Sequence, residues 1–360
     1  MSLEALLDSL PIPILQAPML GAHDAALAIA VGRAGGLGSL AISGMAGAEV
    51  GPAIDALRRE MGERPFGVNL FVVPPAAASA EALDAALARL KPWYDALGAP
   101  LPEHPNSFAP DFDAQFAALA AAAPPVASFT FGVLTAAQVD ALHAAGTYVL
   151  GTANTVAEAR AWAEAGADGI CVQGMEAGGH RGLFLADIED SLVGTLALTA
   201  TVIAATGLPV VAAGGIMDGR GVAAVLALGA KAAQMGTAFL LSAEATTNKT
   251  WRHAIETAAD DPTRLTRAIT GRYARGIETR YMREMRPQER DVPAYPVQNR
   301  LTQPLRAAGA AAGDPDVLSL WAGQGVKLAK PGDAEAMVRQ WWREAQQASR
   351  ALARRAGTEA

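Results

Sequence analysis

Short apolar runs alternate along the chain with longer segments in which apolar residues recur every three or four positions. Alternation of this kind is typical of βαβ units, which place parallel strands in one sheet with helices packed on it. Eight apolar runs qualify as strands, at 12–16, 35–40, 66–71, 126–131, 147–151, 169–172, 209–213 and 232–235. They predict an α/β fold of the (β/α)8 type, the TIM barrel.

Residues at the predicted helix ends support this architecture. Four helices would begin after a side chain that can cap them: Asp24, Thr135, Thr155 and Asp218. Three would end at a glycine that leads into the next strand: Gly146, Gly166 and Gly229. A doubly wound open sheet is the alternative, but it would carry a glycine fingerprint after the first strand, where this chain has Gln-Ala-Pro-Met-Leu-Gly at 16–21. The barrel is therefore favoured.

Two segments interrupt the alternation. Residues 74–122 contain alanine-rich helices and a proline-broken loop, which predicts an enlarged βα connection. Residues 242–320 are rich in arginine and aromatic side chains, and we expect a helical insertion after the eighth strand that covers the barrel mouth. The predicted organisation is a barrel at 1–241, this lid and substrate segment at 242–320, and a segment at 321–360 whose amphipathic helix returns to the barrel.

The composition argues against several classes of protein. Apolar residues make up 51% of the 360 residues, and the net charge of −7 argues against a nucleic-acid-binding surface. The basic run at 350–355 is interpreted as a solvated helix end. The single cysteine, Cys171, excludes an intrachain disulfide and is expected to be a small buried hydrophobe.

Neither export nor membrane insertion is predicted. The N-terminal residues lack the basic region of a signal peptide, and no apolar run reaches the ~20 residues of a membrane-spanning helix. We therefore expect a cytoplasmic monomer or homodimer whose partners are small molecules, not a membrane or a nucleic acid.

A glycine-rich turn follows the sixth predicted strand and contains one histidine, His180. Its glycines are Gly174, Gly178, Gly179 and Gly182. Such a turn is entropically costly and packs no core, so close approach of the backbone to a ligand is the expected reason for it. Histidine titrates near neutral pH, which makes His180 the candidate for proton transfer.

Other catalytic signatures are absent from the sequence. The histidines lack metal-ligand spacing, and neither a nucleophile elbow nor a P-loop occurs. Cys171 lies in mid-strand, which argues against a thiol nucleophile. His180 is thus the one obvious base, and no metal site is predicted.

The predicted carboxyl ends of the strands carry small, polar or glycine residues. Active sites of TIM barrels lie at this end, and such residues leave room for a flat cofactor over the barrel mouth. The segments after strands seven and eight, 213–216 and 234–237, can offer converging backbone N–H groups to a phosphate dianion.

Five strand-end segments carry a family resemblance: Gln-Ala-Pro-Met at 16–19, Gly-Val-Asn at 67–69, Gln-Gly-Met-Glu-Ala-Gly-Gly-His at 173–180, Ala-Gly-Gly-Ile at 213–216 and Gln-Met-Gly-Thr at 234–237. Together they resemble the nitronate monooxygenases, formerly called 2-nitropropane dioxygenases. The resemblance covers nearly the whole chain, including 271–276 and 320–324. FMN-dependent enoyl-ACP reductases share the histidine turn and the Gly-Gly-Ile loop. The segment at 16–19 and Gln173, however, resemble the nitronate monooxygenases and not those reductases.

The resemblance implies an FMN-dependent enzyme whose barrel binds the cofactor. The residues that would hold FMN are Ala17, Pro18, Met19, Asn69, Gln173, Gly178, Gly179, Gly214, Gly215, Gln234, Met235, Gly236 and Thr237. Asn69 and Gln173 would meet the polar edge of the isoalloxazine ring. The phosphate would be bound by Gly214, Gly215, Gly236 and Thr237.

The resemblance also implies roles on the substrate side. His180 would lie beside the flavin, either neutral and removing the α-proton of a nitroalkane, or as an imidazolium that positions a nitronate. The substrate contacts would come from Thr130, Tyr295 and Asn299. Relatives acting on propionate-3-nitronate carry histidine at the position of Thr130, and tyrosine and lysine at the positions of Asn299 and Gln303. Cationic and phenolic contacts to a small carboxylated nitronate are therefore expected to be missing.

The expected activity is oxidation of alkyl nitronates by O2 to a carbonyl compound and nitrite, with FMN carrying the redox step. One alternative is an NAD(P)H-dependent FMN reductase of an enoyl thioester or a quinone. Another is a flavin-binding protein without turnover, which the intact His180 turn argues against.

Overall fold

Eight parallel strands form a closed barrel in the computed structural model, which describes residues 1–357. The strands of the chain are β1 (Ile14–Gln16), β2 (Ser39–Ala41), β3 (Gly67–Phe71), β4 (Val126–Thr130), β5 (Tyr148–Ala153), β6 (Gly169–Gln173), β7 (Gly179–His180), β8 (Val210–Ala213), β9 (Ala232–Met235), β10 (Thr263–Thr266) and β11 (Ala274–Ile277). Around the barrel the order is β1, β9, β8, β6, β5, β4, β3, β2. The predicted TIM barrel is confirmed.

Closure of the barrel depends on a short bridge between its first two strands. The Leu37 N–H donates to the Ile14 oxygen at 3.0 Å, and the Gln16 N–H donates to the Leu37 oxygen at 2.9 Å. These bonds leave no open edge of the kind that a doubly wound sheet presents.

The helices surround the barrel and also lie above and below it. They are α1 (Leu3–Asp8), α2 (Ala25–Ala34), α3 (Gly47–Met61), α4 (Ala80–Ala96), α5 (Phe112–Ala122), α6 (Ala136–Ala144), α7 (Val156–Glu164), α8 (Thr195–Thr206), α9 (Gly219–Ala227), α10 (Lys249–Glu256), α11 (Arg280–Met285), α12 (Val297–Ala312) and α13 (Ala334–Arg355). The four predicted capping side chains all accept N–H groups of the first helical turn: Asp24, Thr135, Thr155 and Asp218.

The first helix, α1, was not predicted. Its Leu3, Leu6 and Leu7 are buried in one cluster with Leu15 and Val211, which come from barrel strands. These contacts bury apolar side chains of the barrel interior, so the first ten residues belong to the fold.

The last helix, α13, packs against α2 and α9 on the outside of the barrel. The Trp341 ring lies 5.0 Å from the ring of Phe239 in an edge-on arrangement. Residues 358–360 of the predicted C-terminal segment lie outside the described residues.

The insertion after β9 covers the barrel mouth and contains, besides its helices, an unpredicted antiparallel hairpin, β10–β11. Strand β11 pairs on its other side with β7, so that Ala274 lies opposite His180 and Arg275 opposite Gly179. The hairpin strands are short, and four of their eight residues are threonine or arginine, so the apolar pattern did not predict them. This sheet ties the histidine turn to the insertion.

A second core joins the insertion to α4, within the enlarged connection at 74–122. Tyr94 donates its hydroxyl to the Leu301 oxygen at 2.7 Å and accepts the Leu305 N–H at 3.1 Å. Pro304 interrupts α12 at this point, and the phenol bridges the two backbone groups of the disturbed turn. The geometry of α12 therefore depends on a residue from another insertion.

Candidate active site

A cavity of about 440 Å³ lies where the carboxyl ends of the barrel strands face the insertion. This volume is within the range of small-molecule and cofactor sites. The predicted site residues that line it are Ala17, Pro18, Met19, Asn69, Thr130, Gln173, Gly178, Gly179, His180, Gly214, Gly215, Gln234, Gly236, Thr237, Tyr295 and Asn299. Segments scattered over nearly 300 positions of the sequence thus meet at one site.

Met235 is the one predicted site residue that does not line the cavity. Its side chain is buried in the core between barrel and helices. Successive side chains of a strand point to opposite faces, so Gln234 faces the cavity and Met235 faces away from it. The prediction is corrected for the Met235 side chain.

One end of the cavity is built from backbone. Gly214 and Gly215 have φ angles of 122° and 69°, which only glycine adopts readily. The N–H groups of Gly215 and Gly236 donate to no protein acceptor among the described residues. The Thr237 hydroxyl accepts the Gly323 N–H at 2.9 Å, which leaves its own hydrogen free to donate. We call this end the anion cradle: Gly214, Gly215, Gly236 and Thr237.

Glu176 lies close to the anion cradle, but its carboxylate bonds elsewhere. Both carboxylate oxygens accept the Thr195 N–H at 3.0 Å, and one accepts the Thr195 hydroxyl at 2.9 Å. No aspartate or glutamate occurs among the lining residues, so the cradle is open to a phosphate.

Two amide oxygens face the cavity from the barrel. Asn69 donates its Nδ2 hydrogens to the Ser128 backbone oxygen at 3.1 Å and to the Ser128 hydroxyl at 3.0 Å. Gln234 donates to the Cys171 sulfur at 3.3 Å, and burial raises the pKa of that thiol to about 12. The Asn69 Oδ1 and Gln234 Oε1 have no protein partner among residues 1–357, so both present acceptors.

Gln173 holds the histidine turn in shape. Its Oε1 accepts the Gly182 N–H at 2.9 Å and an Asn154 Nδ2 hydrogen at 2.8 Å, while its Nε2 donates to the His180 oxygen at 3.0 Å. One hydrogen of its amide is left for a ligand. The sequence assigned Gln173 to the cofactor alone, whereas the structure adds a positioning role.

The glycines of the turn are required mainly by protein contacts. Only Gly179 has a positive φ, 73°. A Cβ at Gly174 would lie 2.0 Å from the Thr195 hydroxyl, and one at Gly178 would lie 2.4 Å from the Gly323 nitrogen. The expectation that ligand approach explains all four glycines is therefore corrected, because crowding by neighbouring backbone and side chains suffices for these two.

His180 is held as one tautomer. Its Nε2 lies 2.9 Å from the Thr270 Oγ1, and the Thr270 hydroxyl donates to the Arg272 oxygen at 3.1 Å. A hydroxyl has a single hydrogen, so the Thr270 oxygen accepts from His180 and Nε2 carries the proton. Nδ1 has no protein partner in residues 1–357 and is not enclosed, so its lone pair faces the cavity.

The protonation state of His180 follows from its surroundings. Burial, with the positive charges of Arg272 and Arg306 adding to it, lowers the pKa of His180 to about 3. Of the two states that the sequence left open, the structure favours the neutral imidazole over the imidazolium at neutral pH.

Aromatic side chains surround His180 on three sides. Its ring lies 5.6 Å from Phe131, 5.8 Å from Tyr295 and 5.5 Å from Trp321. Phe131 has a φ of 80°, an uncommon backbone conformation for a bulky residue, and the Arg272 guanidinium lies 4.1 Å over its ring. Sequence reasoning missed Phe131 and Trp321 as site residues, although both lie in motifs it had singled out.

Arg306 also lines the cavity and was not predicted. Its Nη2 donates to the Asn299 Oδ1 at 2.7 Å and to the Asn299 backbone oxygen at 3.0 Å. Burial lowers the pKa of Arg306 to about 10, so it stays charged at neutral pH. Spacing offered a signal, since Asn299 and Arg306 are seven residues apart and share one face of α12.

A family model described as nitronate monooxygenase matches residues 4–344. The chain belongs to the nitronate monooxygenase family. A nitronate monooxygenase of Pseudomonas aeruginosa is 43% identical over 331 residues, covering 91% of this chain and 94% of that protein. A probable nitronate monooxygenase of Staphylococcus aureus is 38% identical and covers 92% and 93% of the two chains.

Two solved structures are also similar to this member of the nitronate monooxygenase family. A nitroalkane oxidase from Streptomyces ansochromogenes superposes with a TM-score of 0.90 at 42% identity, covering 97% of this chain and 99% of that one. FabK from Thermotoga maritima is less similar, with a TM-score of 0.75 at 28% identity and 98% of both chains covered. This member of the nitronate monooxygenase family is accordingly an oxidoreductase.

The part of this nitronate monooxygenase family member at residues 1–357 has no helix long enough and apolar enough to cross a membrane. It also has no group of three or more histidine, cysteine, aspartate or glutamate side chains placed to hold a metal ion.

Proposed function

We propose that the cavity binds FMN and that the protein oxidises alkyl nitronates with O2 to a carbonyl compound and nitrite. The observation that carries this proposal is the combination, in one cavity, of an anion cradle, two amide acceptors and a neutral histidine with a free ring nitrogen. The names of the similar proteins from Pseudomonas and Streptomyces point to the same chemistry.

The residues present fit FMN. The free N–H groups of Gly215 and Gly236 and the Thr237 hydroxyl suit its phosphate. The oxygens of Asn69 and Gln234 suit donors on the polar edge of the ring. Further contacts are proposed from Ala17, Pro18, Met19, Gln173, Gly178, Gly179 and Gly214. When bound, FMN supplies the redox chemistry, taking electrons from the substrate and returning them to O2.

His180 is the proposed base. Its Nδ1 is unprotonated and faces the cavity, so it removes the α-proton when the substrate arrives as a neutral nitroalkane. Thr270 keeps Nε2 as the donor, which holds the lone pair on the correct side of the ring. A substrate that arrives as a nitronate needs no such step.

The aromatic wall limits the space and the water around the reacting carbon. Phe131, Tyr295 and Trp321 crowd the imidazole at ring distances under 6 Å. Burial raises the pKa of the Tyr295 phenol, so the phenol stays protonated and offers a hydrogen-bond donor. Thr130, Tyr295 and Asn299 are the proposed substrate contacts, with Asn299 also holding Arg306.

The test is an anaerobic comparison of two reductants. The purified protein with bound flavin is mixed with propyl-1-nitronate and, separately, with NADH, and the loss of oxidised flavin absorption is followed. We expect reduction by the nitronate and not by NADH, with nitrite released once O2 is admitted. Reduction by NADH alone would replace the proposal with the alternative of an NAD(P)H-dependent FMN reductase. A protein that takes up no FMN would refute both.

A further inference from the structure

Residues 270–273 lie in the turn between β10 and β11 of the insertion. Three of them belong to the segment 271–276 that carries part of the family resemblance, yet none of the four lines the cavity. Their contacts are with the histidine turn and with the aromatic side chains around His180. They therefore act on the cavity wall from behind.

The Arg272 side chain bonds the histidine turn at two carbonyl groups. Its Nε donates to the Arg181 oxygen at 3.2 Å, and its Nη2 donates to the Leu183 oxygen. These acceptors lie on either side of Gly182, so one planar guanidinium fixes the backbone of three successive residues. Hydrogen bonds from a charged donor are roughly twice as strong as neutral ones, which makes this a firm attachment.

The same guanidinium also holds Phe131. It lies 4.1 Å over the ring of Phe131, whose backbone φ of 80° is uncommon for a bulky residue. The Phe131 N–H donates to the Gly182 oxygen at 3.3 Å, so the ring and the histidine turn are joined at the point that Arg272 covers. The Phe131 ring in turn lies 5.6 Å from the imidazole of His180. Displacement of the guanidinium would therefore move both the aromatic wall and the turn that contains the base.

The backbone of 270–273 acts on His180 more directly. The Arg272 carbonyl oxygen accepts the Thr270 hydroxyl at 3.1 Å, which leaves the Thr270 oxygen to accept from the His180 Nε2 at 2.9 Å. The next carbonyl oxygen, of Tyr273, accepts the Arg181 N–H at 2.8 Å. The tautomer of the imidazole and the position of the residue after it thus depend on two adjacent carbonyl groups.

Gly271 brings this segment against a second ring of the wall. Its φ is 84°, and a Cβ there would lie 2.6 Å from the Tyr295 nitrogen. The segment approaches the Tyr295 backbone this closely because residue 271 has no side chain. The Tyr295 ring lies 5.8 Å from the imidazole. Contacts of 270–273 thus reach His180 itself and two of the three aromatic rings around it.

We propose that Arg272 is a positioning residue for the base: its guanidinium clamps the backbone on both sides of Gly182 together with the Phe131 ring, so that the His180 Nδ1 is held toward the reacting carbon. We call these contacts the Arg272 clamp. Arg272 does not line the cavity and acts only through the residues that do. The effect on proton removal rests on the proposed function, whereas the clamp itself does not.

The first test measures the clamp without using enzyme activity. Hydrogen exchange of the peptide that spans 174–185 is followed by mass spectrometry in the purified wild type and in Arg272→Lys. Lysine keeps the positive charge, but its ammonium cannot reproduce the planar group that meets two carbonyl oxygens and an aromatic face. We expect exchange in this peptide to become about 10-fold faster. Unchanged exchange would overturn the clamp.

The second test measures proton removal. The kcat/KM for 1-nitropropane divided by that for its nitronate isolates the step that requires the base, because the nitronate needs no proton removed. We expect this ratio to fall about 10-fold in Arg272→Lys and in Arg272→Gln alike, because both lose the clamp and only the second loses the charge. In a His180→Asn background, Arg272→Lys should lower the ratio no further, because the base that it positions is gone.

Arg264→Lys is the matched control. Arg264 lies on β10 of the same hairpin, is exposed to solvent and does not line the cavity, so both exchange and the ratio should keep their wild-type values. A wild-type ratio in Arg272→Lys would overturn the positioning role, because the charge alone would then suffice. An equal fall of the ratio with and without His180 would also overturn it. If neither substrate is oxidised but exchange depends on Arg272, the proposed function fails and the clamp stands.

Discussion

The two ends of the cavity are built in different ways. The anion cradle consists of backbone N–H groups and the Thr237 hydroxyl, from two loops that follow neighbouring strands, β8 and β9. The wall around His180 consists of side chains from the β4 end, the histidine turn, the insertion and the segment after it. The cradle therefore depends on the absence of a side chain at its glycines. The wall depends on side chains that are held in place by contacts between residues distant in the sequence.

This difference predicts opposite sensitivities to mutation. Adding a single carbon should damage the glycine-rich end and its supports, whereas removing or exchanging polar atoms should damage the wall. The same difference predicts that cofactor affinity and turnover can be lost separately.

The largest effect is expected from His180→Asn. The variant keeps a polar side chain but loses the base, so turnover of a neutral nitroalkane should fall about 10²- to 10⁴-fold. FMN content should stay at the wild-type level, because the cradle is built from other residues. Steady-state oxygen consumption and flavin absorption measure the two quantities. Unchanged turnover would show that His180 is not the base.

A smaller loss, of cofactor affinity, is expected from Gly178→Ala. The new Cβ would meet the Gly323 nitrogen at 2.4 Å, and Gly323 itself donates to the Thr237 hydroxyl of the cradle. Overpacking of this kind costs about 1–3 kcal/mol, which predicts FMN affinity lower by about 10- to 100-fold in a fluorescence titration.

Gly207→Ala serves as the control for Gly178→Ala. Gly207 ends α8 with a φ of 66° and has no atom within 4 Å of an added Cβ, so only backbone strain is introduced far from the site. An equal loss of FMN affinity in both variants would refute the link between Gly178 and the cradle.

Thr270→Val tests how the wall orients its base. Valine keeps the shape of threonine but cannot accept a hydrogen bond from the His180 Nε2–H. The tautomer that carries its proton on Nε2 therefore loses its partner. The free energy of one hydrogen bond predicts a decrease in kcat/KM of about 10-fold with neutral nitroalkanes, which require the base. Little change is expected with nitronates, which do not require it. Thr270→Ser should recover most of the rate. Equal losses with both substrates would indicate a structural role only.

The last effect concerns the stability of the folded protein at acidic pH. His180 has a pKa of about 3 in the folded protein against 6.5 for an ordinary histidine, so between these values the unfolded chain binds more protons. Its contribution to stability is therefore lost as the pH falls below 6.5, with a slope of at most about 1.4 kcal/mol per pH unit. In urea unfolding from pH 7 to pH 5, His180→Asn should lose less stability than the wild type. An identical loss would contradict the lowered pKa.

The cradle could be predicted from sequence because its parts are local. The segments 213–216 and 234–237 contain their glycines in order, and the barrel topology alone brings them together. The barrel strands and helix caps such as Asp218 could also be predicted, because each depends on a few residues that are neighbours in the sequence. The Met235 side chain faces away from the cavity, which the motif did not indicate because a motif does not state which face of a strand each residue occupies.

The wall could not be predicted to the same extent because tertiary packing assembles it. Thr270 and His180 are ninety residues apart and meet where β11 pairs with β7. Arg306 reaches the cavity through a turn of α12 that Tyr94, from another insertion, stabilises. No local pattern encodes the contact between Thr270 and His180 or the contact of Tyr94 with α12.

A crystal structure of the FMN complex tests the two-ended cavity most directly. We expect the phosphate within hydrogen-bond distance of the Gly215 and Gly236 N–H groups, the polar edge of the ring at the Asn69 Oδ1, and the Arg306 Nη1 free of the cofactor. A phosphate bound by Arg306, or a ring whose polar edge avoids Asn69, would contradict the account.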